Sequence, residues 1–146
     1  MNEKILCQGY QRRDGTKGIR NKVLIVFTVE CSKYVCRKIA EYFQNIGEDV
    51  ETIGSHSCLH NQVNIRRMLK YCTHPNVGGV LVIGHGCEYT YPSMLAKEAE
   101  RSGREAAWFY QQEAGGTKKS IIRGITIVQD MLCLLYTSPS PRDRTR

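Results

Sequence analysis

The chain has 146 residues, 41% hydrophobic and 24% charged, which suits one globular domain that can bury a core without disulfide staples. No apolar stretch approaches the roughly 18 residues of a membrane span. The opening Met1-Asn2-Glu3-Lys4-Ile5-Leu6 lacks the basic-then-apolar build of a secretory signal, so a cytoplasmic protein without a membrane partner is expected. A formal charge of +7 and a pI near 9.1 favour an anionic partner. The basic residues are interleaved with acidic ones and form no clustered aromatic-basic face, which argues against nucleic acid. In a reducing compartment the seven cysteines point to metal binding, catalysis or simple burial, and an odd number argues against a closed disulfide framework.

Residues 9–21 (GYQRRDGTKGIRN) are polar, glycine-punctuated and arginine-rich, and read as a structured loop. Residues 22–28 are a continuous β-branched run, the mark of a strand buried on both faces of a parallel sheet. Val35, Ile39, Ala40, Phe43 and Ile46 follow at helical spacing, and Gly47 ends that helix. A second strand is expected over 49–53. The next helix, over 61–71, should bury Val63, Ile65, Met68 and Leu69. His74-Pro75-Asn76 turns the chain into a third strand at 77–83. A third helix runs over 92–102, with Pro92 at its first turn and Gly103 just past its end. A fourth strand at 105–110 leads through Gly115-Gly116 into a helix starting near Thr117. This order predicts an α/β fold: a doubly wound parallel sheet of about four strands with flanking helices, incomplete at the C-terminus.

Around Cys133 the helical period gives way to prolines, serines and arginines that cannot extend a core. The stretch from there resembles the translation of sequencing-adapter DNA, with a flexible basic tail as the other reading. The expected organisation is an arginine/glycine-rich substrate loop at 1–21, an α/β (Rossmann-like) domain at 22–131, and a disordered tail at 132–146. The true protein is then expected to continue beyond Met131, making this chain a truncated fragment.

Three apolar runs stop at a short polar turn containing a cysteine: Cys31, Cys58 and Cys87, 27 and 29 residues apart. That is close to one strand-helix repeat, so all three fall at strand carboxyl ends, where open α/β sheets bind ligands. Cys31 sits at a helix start, where the dipole favours thiolate. Cys58 lies between His56 and His60, a donor set suited to iron or zinc. Cys87 follows Gly84-His85-Gly86 and precedes Glu88, a candidate base or ligand, with His85 a second candidate base. Cys36 and Cys72 fall within helices and read as core fillers. In the first loop Arg12, Arg13 and Arg20 offer planar forks for a carboxylate, and Asp14 and Asn21 could orient them or take a hydroxyl. Gly84–Gly86 and Gly115-Gly116 could cradle phosphate, so the alternative is a flavodoxin-like module binding a phosphorylated small ligand.

The chain resembles the altronate/galactarate dehydratase family of sugar-acid hydro-lyases. The resemblance rests on Gly9-Tyr10-x-Arg12-x-Asp14-Gly15-x-x-Gly18-x-Arg20-Asn21, Thr28-Val29-Glu30-Cys31-Ser32, His74-Pro75-Asn76-Val77 and Gly84-x-Gly86-Cys87-Glu88. It implies an iron-dependent enzyme that removes water from a sugar acid to give a 2-keto-3-deoxy product. On that reading Cys31, Cys58 and Cys87 hold the metal, as Fe2+ or an iron–sulfur cluster, and Arg12 and Arg20 hold the substrate carboxylate. His56 or His85 is the base. A separate small β-rich subunit and a homo-oligomer are implied as partners. Two departures stand out: Glu30 replaces the family's usual Asn before the first cysteine, and His56-Ser57-Cys58 is shorter than the usual histidine, spacer, Gly-Cys. The reading requires the three sulfur atoms to converge beside the arginine-bearing loop.

Overall fold

A computed structural model describes residues 9–59 and 61–137; Cys7, His60 and the tail from 138 lie outside the described residues. Two two-residue strands, β1 (Tyr10–Gln11) and β2 (Lys17–Gly18), pair antiparallel within the arginine loop. The main elements follow as β3 (Lys22–Phe27), α1 (Glu30–Gln44), β4 (Val50–Gly54), α2 (Gln62–Cys72), β5 (Val77–Gly84), α3 (Pro92–Arg101), β6 (Glu105–Tyr110) and α4 (Thr117–Thr137). Strands β4-β3-β5-β6 form one sheet in that order, parallel throughout.

Strand composition matches strand position. The central strands KVLIVF and VGGVLVIG are buried almost end to end, whereas the edge strands VETIG and EAAWFY are largely part-exposed. Val23, Ile25, Phe27, Leu81 and Ile83 face α1 and α4; Leu24, Val26, Val80 and Val82 face α2 and α3. Each such aliphatic side chain, fully withdrawn from water, contributes about 1.5–3 kcal/mol. Helix α2 starts at Asn61, whose side chain accepts from the Val63 and Asn64 amides. Two expected core residues are on the surface instead: Val63 and Ile46 are both well exposed. Ile46 lies beyond the end of α1, and Val63 sits in the first turn of α2, clear of the buried Ile65, Met68 and Cys72.

Helix α4 does not stop near residue 131. It runs to Thr137, Leu132 is buried and Leu135 packs against the same cluster, so the boundary expected from the loss of periodicity lies too early. By length and composition α4 is apolar enough to cross a membrane, so the expectation that no apolar stretch approaches a span is corrected. Here it lays Val128, Met131 and Leu132 on the sheet beside α1.

Candidate active site

Chain direction gives the sheet two unlike edges. Residues 28–31, 55–58 and 85–91 leave β3, β4 and β5 at the carboxyl edge, while residues 9–21, 48–49, 74–76 and 104 sit where strands begin, at the amino edge. Phe27 pairs with Gly54 on one side and Ile83 on the other, and each cysteine lies four residues beyond this row. The parallel register therefore brings Cys31, Cys58 and Cys87 to the same edge of the sheet, Cys31 in the first turn of α1 and the other two in loops. After β3 the chain moves out to β4, and after β5 it moves the other way to β6, so a topological switch point lies between β3 and β5. Cys31 and Cys87 flank it.

All three thiols are exposed. Desolvation, then the neighbouring Cys58, Glu88 and Cys31, push the Cys87 thiol above its ordinary value, so both other cysteines lie near enough to act on Cys87. Among the described residues no three His, Cys, Asp or Glu side chains already close on an ion-sized space. In its chemistry the donor set fits iron, since soft thiolates suit ferrous ion or a cluster, and an exposed cysteine has a single χ1 to turn. Cys36 and Cys72, by contrast, are fully buried core residues; burial raises both thiols, that of Cys72 to about 12.

Glu88 is a brace. The Thr28 hydroxyl donates to its Oε1 at 2.6 Å, as does the His85 amide at 3.0 Å, and the Gly86 and Cys87 amides donate to Oε2 at 2.8 and 3.0 Å. Burial would raise this carboxyl, but those donors outweigh it and hold it below its usual range. The carboxylate thus ties the Cys87 loop to the end of β3 across the switch point. A β-carbon on Gly84 would sit 2.2 Å from Oε1, which is why a glycine ends β5. The sequence made Glu88 a candidate base or ligand; with both oxygens accepting hydrogen bonds within the fold, it positions the loop instead.

The two histidines differ. His56 is exposed, stands edge-on to Phe27 with ring centroids 5.8 Å apart, and pairs through Nδ1 with the Glu30 carboxylate. The two departures from the family pattern therefore meet in space. Glu30 is held below its ordinary value by Lys33 and by His56. His85 is half-buried, and its Nδ1 has no hydrogen-bond partner among the described residues. The amide of Tyr89 donates to the Cys58 carbonyl at 3.2 Å, joining the second and third cysteine loops.

The arginine loop is at the other edge. Arg12 donates from Nε to the Pro75 carbonyl at 2.9 Å, from one terminal nitrogen to Asn21 Oδ1 at 2.8 Å and from the other to the Arg20 carbonyl at 3.1 Å. Asp14 accepts from Arg104 at 2.6 Å and from the Thr16 hydroxyl and amide, which pull its carboxyl down to about 2. The Arg104 side chain is wholly buried and also donates to the Thr73 and Ser102 carbonyls. Arg13 lays its methylenes over Gly103, and Arg20, 60% exposed, lies 3.9 Å from Asp49 beside a cleft of about 220 Å3. A six-residue strand is about 20 Å long, so Arg12, Arg13, Asp14, Arg20 and Asn21 do not converge with the cysteines of the same chain. That expectation is corrected: Arg12, Asp14 and Asn21 fasten the loop to the starts of β3, β5 and β6.

Comparison with known proteins agrees with this architecture. The sequence profile of the second domain of D-galactarate dehydratase/altronate hydrolase matches residues 9–135. The chain belongs to this family. It is 32% identical over 98 residues to altronate dehydratase of Bacillus subtilis (strain 168), covering 60% of this chain and 20% of that protein. It is 36% identical over 92 residues to altronate dehydratase of Escherichia coli (strain K12), covering 56% of this chain and 19% of that protein. The chain thus spans about a fifth of the length of these curated relatives. Arg104 and Gln111 carry structural weight without any sequence motif to mark them, and the sequence named Thr28 and Glu30 within a motif without showing their partners. Gln111 was visible only as the first polar residue past an apolar run.

Proposed function

We propose that this family domain carries the iron-binding, proton-abstracting part of a sugar-acid hydro-lyase that yields a 2-keto-3-deoxy acid. What supports it is that Cys31, Cys58 and Cys87 all follow strands at one edge of the sheet, Cys31 and Cys87 on either side of the switch point and Cys58 after the neighbouring strand, with the Glu30–His56 pair next to two of them. Iron held by these thiols, as a ferrous ion or a cluster, would act as a Lewis acid on the oxygens of a hydroxy acid.

The chain's own residues supply the rest. Glu30 holds His56 by Nδ1, which leaves Nε2 to take the proton from the carbon next to the carboxylate. The electrons of that C–H bond form the carbon–carbon double bond, and the β C–O bond breaks with loss of hydroxide, which leaves as water once protonated. The resulting enol tautomerises to the 2-keto-3-deoxy acid. Glu88 and Thr28 keep the Cys87 loop in register during turnover. Arg20 lies a strand's length away, so any contact it makes with substrate belongs to a second copy in a homo-oligomer.

Iron and sulfide analysis of the anaerobically purified chain tests the reading. Near-stoichiometric iron that is lost in Cys87→Ala is expected. Substoichiometric iron, unchanged in Cys87→Ala, would overturn it.

A further inference from the structure

The arginines assigned to the substrate carboxylate stand at the wrong edge, so that charge needs other donors. We infer that the N-terminal turn of α4 receives the carboxylate, while Gln111 accepts a hydrogen bond from a hydroxyl of the same molecule. This rests on the hydro-lyase reading. Gly115 and Gly116 have φ of 86° and 94°, a left-handed pair that lets the chain turn sharply into α4. The first backbone bond of the helix runs from the Ser120 amide to the Gly116 carbonyl at 3.0 Å. The amides of Thr117, Lys118 and Lys119 therefore have no acceptor within the helix, and they stand at the positive end of a 21-residue helix. Such a turn binds anions.

Gln111 is the independent sign of a ligand. It is only 8% exposed. Its amide donates to the Gly84 carbonyl at 2.8 Å and its carbonyl accepts from Ser120 at 3.4 Å, fixing the backbone. Its Nε2 donates to the Thr117 hydroxyl at 3.3 Å, which places the side-chain amide at the helix start, yet Oε1 has no partner among the described residues. A buried carbonyl in that position is satisfied by a ligand hydroxyl. The combination distinguishes ligand chemistries: free amides call for an anion, and the adjacent acceptor calls for a donor. A hydroxy acid supplies both from separate groups, whereas the dianionic group of a phosphate ester has no hydroxyl and would set an oxygen against Oε1, and inorganic phosphate offers only its single acidic hydroxyl. Lys119 lies over Gly115 and adds positive charge. The turn is also joined to the reactive loop: the Gln112 amide donates to the His85 carbonyl at 3.2 Å, and Gln112 Oε1 lies where a β-carbon on Gly86 would be.

The test is a titration of the 15N-labelled chain with galactarate, with galactitol, which has the hydroxyls but no carboxylate, and with inorganic phosphate. Saturable shifts of the Thr117, Lys118 and Lys119 amides with galactarate, absent with galactitol, are expected. Gln111→Leu should weaken galactarate about tenfold, and so should Thr117→Pro, which removes one amide at a position where helices tolerate proline; the variants' own spectra report whether they fold. Galactarate shifts confined to Ile19, Arg20 and Asn21, with α4 still, would overturn the subsite and leave the hydro-lyase reading standing. Shifts of the α4 amides with phosphate but not galactarate would overturn both. No galactarate-dependent shift at all would overturn the subsite.

Discussion

The two edges of the sheet are built on opposite terms. At the amino edge Arg12, Asp14, Asn21 and Arg104 spend most of their hydrogen-bonding capacity on one another and on backbone carbonyls, although Arg104 Nε has no partner among the described residues. At the carboxyl edge three thiols are exposed, and His85 Nδ1 and Gln111 Oε1 have no partner among the described residues. A polar cluster that satisfies itself stabilises a fold, whereas one left open is available to a ligand. The arginine-rich loop looks more like a binding site in sequence, yet it is the brace.

Substitutions on the two edges should separate these roles. The largest expected effect is from Cys31→Ala or Cys58→Ala: a loss of iron affinity on the order of 100-fold or more, read by competition with a chelator. Their urea midpoints should stay close to that of the unsubstituted chain, since exposed side chains carry little packing. Asp14→Ala should do the reverse. It leaves the buried Arg104 guanidinium without its counter-charge and should cost on the order of 3 kcal/mol in urea unfolding, with iron uptake unchanged. If iron is lost together with stability, the edges are not independent.

Acid sharpens the same contrast. The Asp14 carboxyl lies at about 2 in the folded chain against 3.8 ordinarily. Between these values the unfolded chain binds more protons, so the stabilisation is present above about pH 4 and is lost as pH falls through 2. The stability gap between the unsubstituted chain and Asp14→Asn, measured by denaturation at successive pH values, should close over that window. The smallest effect is expected from Thr28→Val, which removes one buried donor to Glu88 and should cost about 1–2 kcal/mol. That variant should loosen the Cys87 loop, seen as faster amide exchange at residues 85–87, without touching residues 9–21.

Much of the fold was legible in the residues. β6 and the starts of α3 and α4 stand where proline, glycine and periodicity put them, because those signals are local. The difference between central and edge strands was also written in composition. Harder to see was the end of α4: Leu132 and Leu135 belong to the core by contact with the sheet, while the prolines that follow at 139 and 141 made the whole segment look disordered. Of the site, the placement of the three cysteines after parallel strands could be read from their spacing, but the pairing of Glu30 with His56 could not, since 26 residues separate them.

The sequence by itself determined the alternation of strands and helices, the cysteines at strand ends and the membership in a family of sugar-acid hydro-lyases, because periodicity and motif spacing act over a few residues. Only the tertiary structure decided which edge of the sheet each motif occupies and which polar groups are already satisfied. An arginine in a loop reads the same whether its donors meet a substrate or the carbonyl of Pro75, and only the folded chain, by bringing residues 12 and 75 together, makes that choice.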